Sequence, residues 1–392
     1  MDKTFQYGKE IIRTLKHAGY EAYFVGGYVR DQKLNIPTSD IDITTSATIE
    51  EIKPLFKKVI LTGEKYGTVT VLYNNHPYEI TTYRKDGIYT DLRHPEEVTF
   101  TKTLKEDLSR RDFTINQLVM DENEHVFDHF EGLKDLNNKL IRTINNPMER
   151  FNEDALRLLR AFRFIAKLDF TLEEKTAEAI SACAPLIQKI AIERIQSELD
   201  ILLKYPYKEK AFKAMLKTNF STHFFNLEHA IKILSEATIP YPLDIAYTVF
   251  YLENQELFNI FRLSKKRIRA IEQLSRIVYQ TSDEPYTPEL LFHEGLEPAL
   301  NANIIHQLYK RKDQAYTIQK IHQALPIYEV CELAFKGEDI IKTTNIKKPR
   351  YIGYIIDTLI LDVIHHRVSN TYDDLKKRAE EVIQYLEKSD LK

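Results

Sequence analysis

Near residue 140 the hydrophobic pattern of the chain changes period, and no other feature constrains its fold so strongly. Before that point, short runs rich in β-branched and aromatic residues, at 22–25, 41–44, 68–73 and 78–83, are bounded by Gly, Pro or Asn. Such runs read as strands, and the last two read as a hairpin closed across 74–77. Asn146-Pro147 punctuates the change, and from Asn152 onward apolar residues recur at helical spacing. Prolines at 206, 240, 242, 285, 288 and 326 mark breaks between the later helices. At 392 residues the chain exceeds a single ordinary core. The pattern therefore predicts a small head of strands and helices followed by a long helical body.

With 43% hydrophobic and 29% charged residues, the chain can bury cores beneath a polar surface and is not of disordered composition. No apolar run reaches the roughly 18 residues of a membrane span. The first segment, MDKTFQYGKEIIRTLKHAGY, is charged throughout and lacks an apolar signal core, so a cytoplasmic location without membrane partners is expected. Cys183 and Cys331 lie far apart and outside any zinc-ligand spacing, which predicts buried, reduced thiols. A net charge of -3 speaks against indiscriminate nucleic-acid binding. Any RNA contact must then use local basic patches: Lys265, Lys266, Arg267 and Arg269; Lys310, Arg311 and Lys312; Lys347, Lys348 and Arg350. Taken alone, each patch is more often a solvated helix face than a binding site.

Several short segments carry groups suited to chemistry. Phe24-Val25-Gly26-Gly27-Tyr28-Val29-Arg30-Asp31 reads as a strand, a Gly-Gly turn and a helix. That turn lets backbone amides approach an anion, and Arg30 adds a charged donor, although plain turn chemistry also explains it. In Asp40-Ile41-Asp42-Ile43 the strand period of two puts both carboxylates on one face and both isoleucines in the core. Paired carboxylates repel unless a cation lies between them, and magnesium is commonly held by one or two carboxylates plus substrate phosphates. Two such ions can activate a 3′-hydroxyl and steady a leaving pyrophosphate. Glu79, alternating with apolar neighbours on an expected adjacent strand, is a candidate third carboxylate or an ordinary exposed glutamate. Arg110-Arg111-Asp112-Phe113-Thr114-Ile115-Asn116 reads as a helix start, with Arg111 facing phosphate. From Glu153 to Phe164 a single helix is expected. It places Ala155, Leu158, Leu159, Ala161 and Phe162 on the core arc and Arg157, Arg160 and Arg163 on the opposite one, with Asp154 at the border. Asp154 and Arg157 together offer an acceptor and several donors to a base edge, and the same i, i+3 spacing equally makes an intrahelical ion pair.

Taken in order, GGYVRD, DID, RRDFTIN and EDALRLLRAFRF closely resemble the bacterial class II tRNA nucleotidyltransferase family, the CCA-adding enzymes. The resemblance implies an α+β chain: a nucleotidyltransferase-type head with a mixed β-sheet over 1–140, a helical, nucleotide-selecting neck over 141–205, and a helical body and tail that bind tRNA over 206–392. It implies template-independent addition of C, C and A to the tRNA 3′ end from CTP and ATP. It assigns magnesium (Mg2+) to Asp40 and Asp42 and nucleotide contacts to Gly27, Arg30 and Arg111; Glu79, read from its alternation rather than from the resemblance, joins them as a candidate catalytic carboxylate. It also assigns base pairing to Asp154 and Arg157, and phosphate or ribose to Arg160 and Arg163. The stretch DGIYTDLRHP resembles the loop that full CCA-adding members use in switching from C to A, with His94 where a second arginine is expected. A poly(A) polymerase, a partial enzyme adding only C-C or only A, and a silent tRNA-binding protein remain as alternatives. The assembly state, a homodimer included, stays open.

Overall fold

The computed structural model describes residues 3–38, 40–87, 98–343 and 351–389. The chain divides into two compact units, the first formed by 1–237 with 253–262 and the second by 238–252 with 263–392.

The first unit opens with α1 (Lys3–His17), β1 (Ala22–Val25), α2 (Gly27–Lys33), β2 (Asp42–Thr45) and α3 (Ile49–Ile52). Then come β3 (Val59–Gly63), β4 (Thr68–Tyr73), β5 (His76–Thr82), β6 (Arg84–Asp86) and β7 (Val98–Phe100). They are followed by α4 (Leu104–Ser109), β8 (Val119–Met120), β9 (Val126–Phe127) and α5 (Gly132–Asn137). Among the described residues a seven-stranded sheet runs in the order β3-β4-β5-β2-β1-β8-β9. It is mixed, because β2 and β5 are parallel while the other neighbouring pairs are antiparallel. The expected strands are present: 22–25 and 68–73 coincide with β1 and β4, while the ends expected at 41–44 and 78–83 are displaced by one or two residues in β2 and β5. The β4–β5 hairpin closes in two residues, since Asn74 and Asn75 both take positive φ (49° and 64°) as a tight inverse turn requires. Val69, Val71, Tyr78, Ile80 and Ile43 are fully buried, so alternate side chains of these strands build the core.

Helices complete the unit: α6 (Pro147–Glu153), α7 (Leu156–Leu168), α8 (Glu174–Cys183), α9 (Ile192–Leu202), α10 (Lys208–Lys217) and α11 (Glu228–Ser235). Asn146-Pro147 starts α6: the Asn146 side chain accepts from the Met148 amide at 3.0 Å, and Pro147 occupies a first-turn position where an N–H is not needed. The single helix expected from Glu153 is in fact interrupted. Asp154 is extended (φ -140°, ψ 99°), which ends α6 and reorients the chain before α7. RRDFTIN likewise does not open an α-helix; α4 ends before it, and only Thr114–Asn116 form one 3-10 turn.

The second unit is helical, with Lys265–Gln280, Leu296–Leu308, Tyr351–Ile364 and Tyr372–Ser389 its longest helices among the described residues. The first two basic patches are here; Lys265, Lys266, Arg269 and Lys310 to Lys312 are exposed, while Arg267 pairs with Asp244 at 3.2 Å. The third patch, at 347–350, lies outside the described residues. No described helix is long and apolar enough to cross a membrane. Cys183 is buried as expected, whereas Cys331 is exposed beside Glu329.

In the first unit, packing at α5 leaves no room for a side chain at its first residue: a Cβ on Gly132 would stand 2.4 Å from the Thr114 carbonyl oxygen. Gly132→Ala is expected to destabilise the chain by about 1–3 kcal/mol through backbone displacement, read as a lowered melting temperature against wild type.

Candidate active site

The site is built on the edge-to-edge meeting of β1, β2 and β5. Asp42 lies opposite Val25 on β1 and opposite Glu79 on β5, so the neighbouring strands bring two carboxylates into register. Asp40, two residues earlier, is exposed with Asp42, while Ile41 and Ile43 are buried between them, as the alternation requires. Asp42 is reachable by solvent, yet the protein around it displaces much of its hydration. That desolvation, followed by the negative Glu79 and then Asp40, pushes its pKa up to about 6 against the pull of Arg111. Neighbouring carboxylates that repel one another are a donor set that a divalent cation suits. Among the described residues no group of three or more His, Cys, Asp or Glu side chains is arranged around a metal position. Magnesium tolerates so sparse a protein set, because water and phosphate oxygens complete its shell.

The Gly-Gly turn lies beside these carboxylates. Gly26 adopts φ 72° and ψ -133°, a backbone state that side chains disfavour, and its Cα faces the Arg111 guanidinium, 3.6 Å from where a Cβ would be. Gly27 begins α2 and comes similarly close to Arg30. Arg30 is only 3% exposed. Its guanidinium donates to Asp31 Oδ1 at 2.8 Å and to Asn116 Oδ1, and lies 5.0 Å over the Phe164 ring. Arg111 donates to Asp107 Oδ2 at 3.1 Å, and Arg110 to Asp107 Oδ1 at 2.7 Å. Burial would raise the Asp107 pKa, but these two guanidinium groups hold it below the ordinary aspartate value.

Helix α7 supplies the facing wall. Arg160 donates through Nε and Nη2 to Asp112 Oδ2 at 2.9 and 2.6 Å. Burial alone would raise the Asp112 pKa; Arg160, with bonds from Asn116 and the Phe113 amide, holds it well below the usual range. Arg163 pairs with Glu198 of α9 at 3.2 Å, and burial and the nearby Arg160 lower its proton affinity. Arg160 and Arg163 pack against Phe164 together with Arg30, at 5.7 and 4.8 Å from the ring centre.

Asp154 and Arg157 do not pair with each other. Because the chain is extended at Asp154, its carboxylate swings to Arg194 of α9 at 3.1 Å. Arg157 is not on the polar arc either: it is 7% exposed. It donates to Glu153 at 2.8 Å and to the carbonyls of Arg150 and Arg110 at 3.0 and 2.8 Å.

A cavity of about 730 Å³ gathers these groups. Gly27, Arg30, Asp40, Asp42, Arg111, Asp154, Arg157, Arg160 and Arg163 all line it, whereas Glu79 stands in register behind Asp42 without forming part of its wall. Tyr66, Arg84, Lys167 and Arg194 also line it and were not singled out from sequence. Tyr66 and Arg84 come from segments without a chemical motif, and Arg194 from a helix whose facing is set by tertiary packing; Lys167 lies on the polar arc of α7 with Arg160 and Arg163, beyond the end of the motif. His94, with most of the DGIYTDLRHP stretch, lies outside the described residues.

Residues 22–142 match the family model of the poly A polymerase head domain, and 169–231 that of a probable RNA and SrmB-binding site of polymerase A. Residues 246–379 match the model described as a putative tRNA nucleotidyltransferase domain 2. The chain is 36% identical over 383 residues to a CCA-adding enzyme of Enterococcus faecalis, covering 95% of this chain and 94% of that protein. It is 38% identical over 391 residues to one of Limosilactobacillus fermentum, with 97% and 98% covered. The crystal structure of the Bacillus stearothermophilus CCA-adding enzyme in complex with CTP superposes with a TM-score of 0.84 at 30% identity, covering 99% of this chain and all of that one.

The raised Asp42 pKa sets the sign of a pH effect. The folded state binds this proton more tightly than the unfolded chain, so stability falls as pH rises from about 4 to about 6 and stays reduced above that. Asp42→Asn is therefore expected to stabilise the metal-free protein at pH 7.5 by on the order of 1 kcal/mol, after discounting for solvent screening. The gain should disappear below the ordinary aspartate range, and paired melting curves at pH 7.5 and pH 3.5 would check it.

Proposed function

The chain belongs to the CCA-adding enzymes, and from that premise and the cavity geometry we propose that it adds C, C and A in turn to the 3′ end of tRNA, using CTP and ATP and releasing pyrophosphate. The observation that carries this reading is one cavity in which the Asp40 and Asp42 carboxylates, a set of guanidinium groups and Asp154 meet. Its volume is in the range of small-molecule sites.

In this proposal Asp40 and Asp42 hold magnesium, and Glu79 strengthens the negative field at Asp42. Bound there, magnesium would lower the pKa of the attacking hydroxyl and offset charge on the departing pyrophosphate. The RNA 3′-oxygen forms its bond to the α-phosphorus as the bond to pyrophosphate breaks. Arg111, Arg30 and the Gly27 backbone receive the triphosphate on the head side, and Arg160 and Arg163 receive phosphate or ribose on the α7 side.

Cytosine and adenine both present an amino donor beside a ring-nitrogen acceptor, whereas uracil and guanine present a carbonyl beside an N–H. A carboxylate that only accepts, next to a guanidinium that only donates, matches the first pair and opposes the second. Asp154 and Arg157 supply that combination in the cavity wall. A wrong base leaves these groups unpaired, a situation that makes discrimination steep.

We assign catalysis to 1–140, nucleotide selection to 141–205 and tRNA binding to 206–392, where the exposed Lys265, Lys266 and Arg269 offer phosphate contacts. A cytoplasmic location is part of the proposal, since tRNA and both triphosphates are found there.

The test is incorporation of each labelled nucleoside triphosphate, with magnesium, into tRNA transcripts ending before CCA, after C and after CC. Two cytidines and one adenosine followed by a stop are expected. Unlimited adenosine addition would indicate a poly(A) polymerase, and no incorporation a binding protein. Asp42→Ala should lower incorporation by on the order of a thousandfold while leaving the melting transition in place.

A further inference from the structure

We infer that Arg194 is a positioning residue for base selection, acting through Asp154; the inference rests on the reading of Asp154 as a base-recognising group. Three observations lead to it.

First, Asp154 sits at the break between α6 and α7 with an extended backbone, so helical geometry does not fix its side chain. What fixes it is Arg194, whose Nη2 donates to Oδ1 at 3.2 Å and to Oδ2 at 3.1 Å, with a further bond from the Leu156 amide to Oδ1 at 3.2 Å. Both residues line the cavity. Three of the roughly four lone-pair sites of the carboxylate are then used and Oδ2 retains acceptor capacity, so Asp154 is oriented without being saturated.

Second, Arg194 is poorly placed for helix stability alone. It lies in the first turn of α9, at the positive end of the helix dipole, where a cation is disfavoured. Its Nη1 is buried without a hydrogen-bond partner. A pair selected for stability would satisfy the whole guanidinium fork, and an unsatisfied buried donor asks for another explanation.

Third, Glu198 stands one turn further along α9 and pairs with Arg160 and Arg163 at 3.3 and 3.2 Å. Helix α9 thus presents a donor to the acidic member of the cavity wall and an acceptor to the basic members, a complement to the segment from Asp154 to Arg163. Arg194 keeps the Asp154 acceptors turned to where a base amino group must donate. Without it only the Leu156 amide bond to Oδ1 holds the carboxylate at the helix break, and its distinction between an amino group and a carbonyl weakens.

The experiment compares wild type, Arg194→Met, which keeps length and loses the donors, and Arg194→Lys, which keeps the charge and loses the fork. For each, kcat and KM are measured with ATP, UTP and GTP on transcripts ending in CC, and with CTP, UTP and GTP on transcripts ending before CCA, alongside melting curves. The inference expects Arg194→Met to lower the kcat/KM preference for ATP and CTP over UTP and GTP by about tenfold or more. Arg194→Lys should recover part of that preference. An unchanged preference, or an equal loss with all four nucleotides, would overturn it and leave a purely structural pair. Should Arg194→Met fail to fold, Arg194→Lys decides on the same ratio. A wild-type protein that adds no C or A removes the reading of Asp154 instead, which separates the two failures.

Discussion

A closed circuit of hydrogen bonds ties helix α7 to the sheet-bearing part of the first unit, and the cavity depends on it. From α7, Arg160 reaches Asp112; Asp112 holds the Asn116 amide; the Asn116 carbonyl receives Arg30 of α2. Arg30 in turn holds Asp31, and Asp31 receives Lys167 at 2.7 Å, back on α7. The two ends of the circuit, Arg160 and Lys167, are about two turns apart on one helix. Both are anchored to side chains outside α7, Asp112 of the RRDFTIN segment and Asp31 of α2, which fixes α7 against the two segments that also carry Arg111 and Arg30. Because Asp112 and Arg30 are buried, removing one partner would strand a charge away from water, a loss of about 3–5 kcal/mol. The circuit is thus a rigid element rather than a surface ornament, and rigidity is what a cavity that recognises small differences between bases needs.

The second constraint is the crowding of like charge. Arg30, Arg160 and Arg163 surround the Phe164 ring, whose face attracts each of them, and Arg111 and Arg157 line the same cavity. Asp31, Asp107, Asp112, Glu153 and Glu198 lie among them and neutralise enough charge for the arrangement to fold. The same cavity holds Asp42, whose proton affinity is raised first by desolvation and then by Glu79 and Asp40, against the pull of Arg111. In the proposed function a triphosphate with its divalent cation would bring anion to the arginines and cation to the carboxylates, a match that a neutral metabolite lacks.

The sequence revealed the parts whose geometry is local. The strand period placed Asp40 and Asp42 on one face and buried Ile41 and Ile43; the Gly-Gly turn led into a helix bearing Arg30; Asn74 and Asn75 closed the hairpin. What was not legible depends on which distant side chain arrives as a partner. The periodic run from Glu153 reads as one helix, because no Pro or Gly marks the extended Asp154. That break removes the expected i, i+3 relation to Arg157 and sends each residue to a different neighbour. Arg157, placed on the polar arc by a helical wheel, is buried because the Arg110 carbonyl lies above it. Glu198 and Arg194, in IERIQSELDIL, look like the ordinary charged face of an amphipathic helix, and only packing against α7 shows where that face points.

The contrast between Asp112 and Asp154 shows how one residue type takes two roles here. Both are aspartates paired to an arginine near α7, but Asp112 is enclosed, and with Oδ1 and Oδ2 both engaged it has little acceptor capacity to offer a ligand. Asp154 lies on the cavity wall, accepts two bonds from a single guanidinium nitrogen and one from the Leu156 amide, and keeps acceptor capacity on Oδ2. Complete pairing suits a structural joint, since every unsatisfied buried acceptor weakens it. Incomplete pairing suits a reading group, since an acceptor that is already saturated cannot distinguish one base from another. On this argument the same Asp–Arg chemistry, finished in one place and left open in the other, separates the frame of the cavity from its selecting surface.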